Sequence, residues 1–272
     1  MPVFIDQMMR KVEISSSPMR IISLVPSQTE LLYDLGLNNE VVGITKFCIH
    51  PQHWLKEKTI VGGTKQLNIE KIASLKPDLI IGNKEENSRA EIEVLMQQYP
   101  VWMSDINNLE EALKMIESIA NITQTSQQGN QLITNIKLEF ELLPNANPSK
   151  KRIAYFIWNK PMMVAGKDNF INHILSRLGF ENVFANQLNS PQISYRYPQI
   201  TSTELAAAAP DTIYLSSEPF PFKDKHIEQF KAICPFAEIK IVDGEMFSWY
   251  GSRLSLAPAY FKTLITKKSP AN

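Results

Sequence analysis

Residues 69–82 read IEKIASLKPDLIIG, and residues 202–215 read STELAAAAPDTIYL. The two stretches align without a gap, pairing Ala73 with Ala206, Pro77 with Pro210, Asp78 with Asp211 and Ile80 with Ile213. Each reads as a helix that breaks at Pro-Asp and gives way to a strand. Proline cannot continue a helix and pushes the residue before it out of the α region. The β-branched run that follows lacks polar alternation, which is the pattern of a parallel strand covered on both faces. A unit used twice fixes an architecture more firmly than the propensity of any one segment.

The repeat extends upstream. Arg20-Ile21-Ile22 opens a strand leading to a helix that ends in Leu35-Gly36-Leu37, and Arg152-Ile153-Ala154 opens another leading to Leu178-Gly179-Phe180. Each glycine reads as a helix stop. After the first strand, Ser27-Gln28-Thr29-Glu30 predicts a capping box in which Ser27 caps the helix and Glu30 reaches back. In the second half a strand at 153–158 turns at Asn159-Lys160-Pro161 into a short strand at 162–164, and a helix follows at 169–178. Between the halves, Leu109, Leu113, Ile116 and Ile119 form one apolar stripe and Ile133, Ile136, Phe140 and Leu143 another, which predicts helices at 108–121 and 123–143. At ~1.5 Å per residue the second is about 30 Å long. The expected fold class is α/β: two α/β lobes with parallel central sheets, related by internal repeat and joined by a single long backbone helix. The expected boundaries are an N-terminal lobe at 1–107, a helical connector at 108–148 and a C-terminal lobe at 149–272.

Composition narrows the function. The 272 residues are 44% hydrophobic and 21% charged, enough to bury a core and unlike a disordered chain or a rod. Lys and Arg number 28 against 28 Asp and Glu, so no net charge steers the chain toward nucleic acid. The longest apolar runs are far short of a membrane span. Cys48 and Cys234 fall in opposite halves, too few for a disulfide framework, and read as free thiols. The first twenty residues include Asp6 and Glu13 and never form the apolar core of an export signal, so as it stands the chain reads as cytoplasmic. No GxSxG, HExxH, Walker A or GxGxxG motif is present, which argues against an enzyme.

With PSQTE after the first strand and the KPDLII and APDTIY units in place, the chain resembles the class III substrate-binding proteins of ABC importers. These are the helical-backbone receptors for cobalamin, haem and ferric siderophores, and the pattern is nearest to the cobalamin branch. The resemblance covers residues 20–264. It implies a monomer with no intrinsic cofactor that takes cobalamin, haem or a ferric siderophore in a cleft between the lobes, with ABC permease subunits as possible partners and a periplasmic or lipid-anchored location as the family norm.

Strand ends and the loops after them are where open α/β sheets bind ligands. Four segments fall there. The first holds His50 and Trp54; His50 occupies the place of a cleft aromatic and could ligate iron or cobalt, or could simply be a hydrogen-bonded loop histidine. The second offers Lys84. The third combines Trp158 with Tyr195 and Arg196, aromatic faces and a guanidinium that suit a flat macrocycle or a catecholate. The fourth packs Trp249, Tyr250 and Arg253 into one stretch. Two lobe-tip glutamates that dock the family's permeases fall here on Arg89 and roughly Ser248, leaving Glu86, Glu91 and Glu245 as substitutes. Two rivals stand beside this reading: a zinc or manganese receptor, for which only His50, His53, His173 and His226 are available as imidazoles, and an intracellular sensor or chaperone of the same fold.

Overall fold

The structure, a computed structural model, describes residues 2–14, 17–144, 151–185 and 196–266. Its internal contacts divide the chain into two units: 1–106 with 110–138 and 250–255, and 107–109 with 139–249 and 256–272.

The first unit opens with a hairpin, β1 (Val3–Ile5) and β2 (Lys11–Glu13). It continues through β3 (Ile21–Ser23), α1 (Pro26–Asp34), β4 (Val41–Ile44), α2 (Trp54–Glu57), β5 (Thr59–Ile60) and a small hairpin of β6 (Gly62–Gly63) and β7 (Gln66–Leu67). Next come α3 (Ile69–Ser74), β8 (Leu79–Asn83), α4 (Arg89–Met96), β9 (Val101–Ser104), α5 (Leu109–Ile122) and α6 (Ser126–Glu141), whose last residues belong to the second unit. The sheet runs β5-β4-β3-β8-β9 and is parallel throughout. Ile22, Leu24, Ile72, Ile80, Leu95 and Val101 are among its core residues. The β1–β2 hairpin is tied to the β9 edge: Gln7 N donates to Met103 O at 3.0 Å, and the buried Asp6 carboxylate closes the turn by accepting from Met8 N and Arg10 N, each at 2.9 Å.

The second unit comprises β10 (Arg152–Trp158), β11 (Met163–Val164), α7 (Phe170–Arg177), β12 (Glu181–Asn182), α8 (Ser202–Ala208), β13 (Thr212–Ser216), α9 (Ile227–Ile233), β14 (Glu238–Val242), α10 (Gly244–Ser248) and α11 (Ala257–Thr266). Its sheet is ordered β11-β10-β13-β14, with β12 also on β10; β10, β12, β13 and β14 are parallel and β11 is antiparallel.

The repeat survives as hydrogen bonding. Asp78 accepts from Met19 N and Arg20 N at 2.8 and 2.9 Å, while Asp78 N donates to Arg20 O. Asp211 accepts from Arg152 N at 2.8 Å, and Asp211 N donates to Arg152 O. Each arginine also bonds the end of the helix that leads into the aspartate, Arg20 to Leu75 O and Arg152 to Ala208 O and Ala209 O. Register agrees, since Ile21 faces Leu79 in one unit and Ile153 faces Thr212 in the other. Pro77 and Pro210 are therefore equivalent. Gly36 and Gly179 are both left-handed, with φ of 88° and 75°, and each is followed by a residue whose N–H returns to the carbonyl five positions back. That is the Schellman closure, which favours glycine at this position.

Two local expectations are corrected. Ser27 and Glu30 form no capping box: α1 begins at Pro26 with Val25 as N-cap and no side-chain cap. Proline presets the first helical φ, and Glu30 is engaged by Arg253. A capping box forms instead at α8, where Thr201 Oγ1 accepts from Glu204 N and Glu204 Oε2 accepts from Thr201 N at 2.7 Å. The second helix of the central stretch starts later than its apolar stripe suggests. Gln124 adopts φ of 58° and turns the chain between α5 and α6, so α6 has 16 residues and a length of about 24 Å.

Candidate ligand-binding site

In the first unit the C-terminal ends of β3, β4, β8 and β9 carry a buried polar network. Asn87 Oδ1 accepts from Asn83 N at 2.8 Å, and its amide nitrogen donates to Leu24 O and Thr64 O at 3.3 and 3.0 Å. Asn83 Oδ1 accepts from Glu85 N and Glu86 N, while its Nδ2 donates to Ser104 Oγ at 2.9 Å. One pair of asparagines thus fixes the turn at 84–87 and ties it to the ends of three strands and the β6–β7 hairpin.

Beside it, the loop after β4 is pinned from below. Cys48 is fully buried, with its sulfur 3.0 Å from Thr29 Oγ1 and 3.2 Å from Thr45 Oγ1. Burial pushes this thiol up, against the hydroxyl contacts that pull it down, so it stays protonated at neutral pH. Lys84 projects from the neighbouring turn and pairs with Asp105 at 2.6 Å. Burial, and then Glu85, push the Glu86 carboxyl up, with Lys65 offsetting part of the rise.

The second unit's strand ends are aromatic. Trp158, the last residue of β10, keeps 38% of its surface exposed; it meets Phe220 edge-on at 5.5 Å, and its ring N–H donates to Lys160 O at 3.1 Å. Tyr155, Tyr214 and Phe247 pack against one another within the unit. Glu218, just after β13, accepts at 2.8 Å from both Ser248 Oγ and Trp249 Nε1, which holds the Trp249 indole in place.

The sequence-derived candidates therefore divide. Trp158 and Lys84 sit exposed at strand ends, and His50 is half-buried close enough to Glu30 to influence its charge. Trp54 does not line a site: it is fully buried, wedged edge-on against Tyr33 at 5.5 Å with Lys58 over its face, because α2 turns the indole into the unit's interior. Trp249 and Tyr250 are buried, and Arg253 is paired through two nitrogens with Glu30, its Nε at 2.9 Å from Oε2. Burial raises the Glu30 carboxyl more than Arg253 and His50 lower it. Arg196 is part-buried and its carbonyl accepts from Gly166 N and Asn169 Nδ2. Tyr195 lies outside the described residues. Glu91 Oε1 accepts from Leu67 N at 2.9 Å with its other oxygen buried, so Glu91 braces the β6–β7 hairpin and is not free for a permease. Glu86 and Glu245 are part-buried. Among the described residues no three His, Cys, Asp or Glu side chains gather to hold a metal ion, and no helix is long and apolar enough to cross a membrane. Phe47 and Ile49 fall in the first strand-end segment of the sequence reading and Asn83 and Asn87 in the second, although none of the four was singled out there as a contact.

Two units with parallel sheets, each ending in loops rich in polar or aromatic side chains, define a two-unit α/β binding protein. A family model described as periplasmic binding protein matches residues 21–240, and the chain belongs to that family. The family is one of binding proteins and not of enzymes. The vitamin B12-binding protein of Pectobacterium carotovorum subsp. carotovorum is 24% identical over 260 residues, 94% of this chain and 91% of that one. An uncharacterized ABC transporter substrate-binding lipoprotein of Bacillus subtilis, YvrC, is 28% identical over 224 residues, 78% of this chain and 68% of that one. The fold is shared with the periplasmic vitamin B12 binding protein BtuF of Vibrio cholerae, with a TM-score of 0.72 and 22% identity over 92% of this chain and 99% of that one. It is also shared with the periplasmic haem binding protein HutB of the same organism, with a TM-score of 0.74 and 21% identity over 92% and 99%.

These relatives correct the cytoplasmic reading. They are periplasmic proteins or a lipoprotein, and they point to a place outside the cytoplasm. The acidic N-terminal residues that suggested otherwise belong to the folded β1–β2 hairpin, where Asp6 is a turn-closing acceptor. Their composition reflects that packing and carries no information about export.

Proposed function

We propose that the protein captures a tetrapyrrole or related metal chelate, cobalamin, haem or a ferric siderophore, and delivers it to the permease of an ABC importer. The ligand is cargo and not a cofactor. The observation that carries this reading is Trp158: an indole left exposed at the C-terminal end of a parallel strand, with its orientation fixed by Phe220 and its N–H already satisfied. Such a ring offers a preordered face to a planar ligand at little entropic cost. The vitamin B12- and haem-binding relatives support the ligand class. His50 is the candidate imidazole for a cobalt or iron centre carried by the ligand. Glu86 and Glu245 are the candidates for permease docking.

Titration of the purified protein with cyanocobalamin, haemin and a ferric catecholate, followed by visible absorbance, tests the proposal. Binding of at least one is expected, and Trp158→Ala should weaken it about tenfold, as loss of an aromatic contact and its buried area implies. Absence of binding to all three overturns the ligand class; unchanged affinity in the variant removes Trp158 from the site.

A further inference from the structure

The β1–β2 hairpin covers the free edge of β9 only in part. Its register sets Val3 against Glu13, Phe4 against Val12 and Ile5 against Lys11. Asp6 N donates to Arg10 O at 3.0 Å and Ile14 N to Pro2 O at 3.1 Å, so the hydrogen-bonded pairs are 6 with 10, 4 with 12 and 2 with 14. Alternation along an antiparallel ladder then turns the main-chain N–H and C=O of Lys11 and Glu13 away from β1. The same counting applies to β9. Ile80 N donates to Pro100 O on the β8 side, which turns the main chain of Val101 and Met103 toward the opposite edge. The hairpin takes up Met103, its N–H through Asp6 Oδ2 at 3.3 Å and its carbonyl through Gln7 N at 3.0 Å. The Arg10 guanidinium, held by Asp6, reaches Val101 O at 3.5 Å. Beyond that point the two edges part. Among the described residues no main-chain hydrogen bond takes up Val101 N or the outward groups of Lys11 and Glu13. A cavity of about 400 Å³ opens there, between Lys11, Val12 and Glu13 on one side and Met96, Tyr99 and Val101 on the other.

We propose that this gap docks an extended peptide segment of a partner protein, which adds as a strand beside β2. Free N–H and C=O groups along a strand edge are the template that strand addition uses, and folded proteins normally blunt or cover such edges. Here the cover stops at Arg10, and two open edges flank one gap. The side chains state the chemistry of the occupant. Lys11 and Glu13 are exposed and stand two residues apart, so they share the outer face, while Val12 between them is buried on the inner one. A segment antiparallel to β2 answers them with an acid beside Lys11, a base beside Glu13 and an apolar residue beside Val12. The gap lies along the edge of the sheet and not at the strand ends of Asn83 and Ser104, so the inference stands or falls independently of the proposed cargo.

The probe is a blocked, fluorescein-labelled nine-residue peptide with Lys-Val-Glu at its centre and threonines on both sides, followed by fluorescence polarisation. It should bind the native protein. Methylating the main-chain nitrogens of its Lys and Glu should weaken binding at least about tenfold, as loss of two hydrogen bonds implies. Lys11→Glu and Glu13→Lys should each weaken it about fivefold, the scale of a cross-strand charge pair. A peptide with Glu-Val-Lys at its centre should recover binding in the double variant carrying both substitutions. Both side chains are exposed, so melting temperatures should stay within about 2 °C of native. Absence of binding, or binding indifferent to the methyl groups, overturns the proposal. Because the peptide carries the charge order of β2 itself, sedimentation of the chain alone accompanies the titration. A dimer that Lys11→Glu breaks would place a second copy on this edge and also overturn it.

Discussion

The two units begin alike and end differently. At the N-terminal ends of their strands, Asp78 and Asp211 bind the backbone of Arg20 and Arg152, and the arginines bond the end of the helix that leads into each aspartate. At the C-terminal ends, Asn83 stands where the second unit has Ser216, and Ser104 where it has Val242, by the matched registers of β8–β9 and β13–β14. The first unit fills this end with amides, hydroxyls and a thiol; the second has the exposed Trp158 against Phe220 and the Trp249 indole held by Glu218. The end that only holds the sheet together has kept one solution. The opposite end, where we propose that ligand binds, has two, because one stacks loops on a polar scaffold and the other offers aromatic faces.

Replacing one tryptophan from each unit with alanine breaks this comparison most forcefully. Trp54→Ala should cost about 3 to 5 kcal/mol of stability, since a fully buried indole leaves a cavity. Trp158→Ala should cost under about 1 kcal/mol while weakening ligand binding. Denaturant unfolding measures both; a large loss at Trp158 would make it a core residue, and the contrast between the units would fail.

A subtler contrast lies in two carboxylates. Glu30 in the first unit is raised, burial outweighing Arg253 and His50. Glu238 in the second is lowered, because hydrogen bonds from Lys240 and Lys151 outweigh its burial. A raised carboxyl binds more protons folded than unfolded, so its share of stability is present below the ordinary carboxylate range and is lost as pH rises through the raised value. A lowered one has the opposite sign: its share is present above that range and is lost as pH falls through the lowered value. Stability against pH for Glu30→Gln should therefore lose slope above the ordinary range, and for Glu238→Gln below it. Matching changes in one direction would show that the two sites are not opposed.

The smallest effect sharpens the shared end. Asp78 accepts two backbone N–H groups and Asp211 one. Asp78→Ala should thus cost about 1 to 2 kcal/mol and Asp211→Ala about 1, on the usual scale for charge-assisted hydrogen bonds near the surface. Thermal unfolding of the two variants reads the order, and a reversed order would mean that the arginine contacts, not the carboxylates, carry the junction.

What the sequence alone determined was everything set by local chemistry repeated twice. Pro77 and Pro210 end helices because proline must, Gly36 and Gly179 stop them because a left-handed residue is needed, and the uninterrupted apolar strands demand parallel sheets covered on both faces. Trp158 was legible as a strand-end aromatic for the same reason. What only the tertiary structure decided was the use of side chains whose partners lie far along the chain. Glu30 read as a helix cap until Arg253, 223 residues away, took its carboxylate. Trp54 read as a binding residue until its burial against Tyr33 placed it in the interior. Phe47 and Ile49 read only as members of a strand-end segment until the fold buried Cys48 between them and left both exposed. Local propensity fixes where a chain bends and pairs, but which face of a residue meets water depends on the packing of elements that the sequence holds apart.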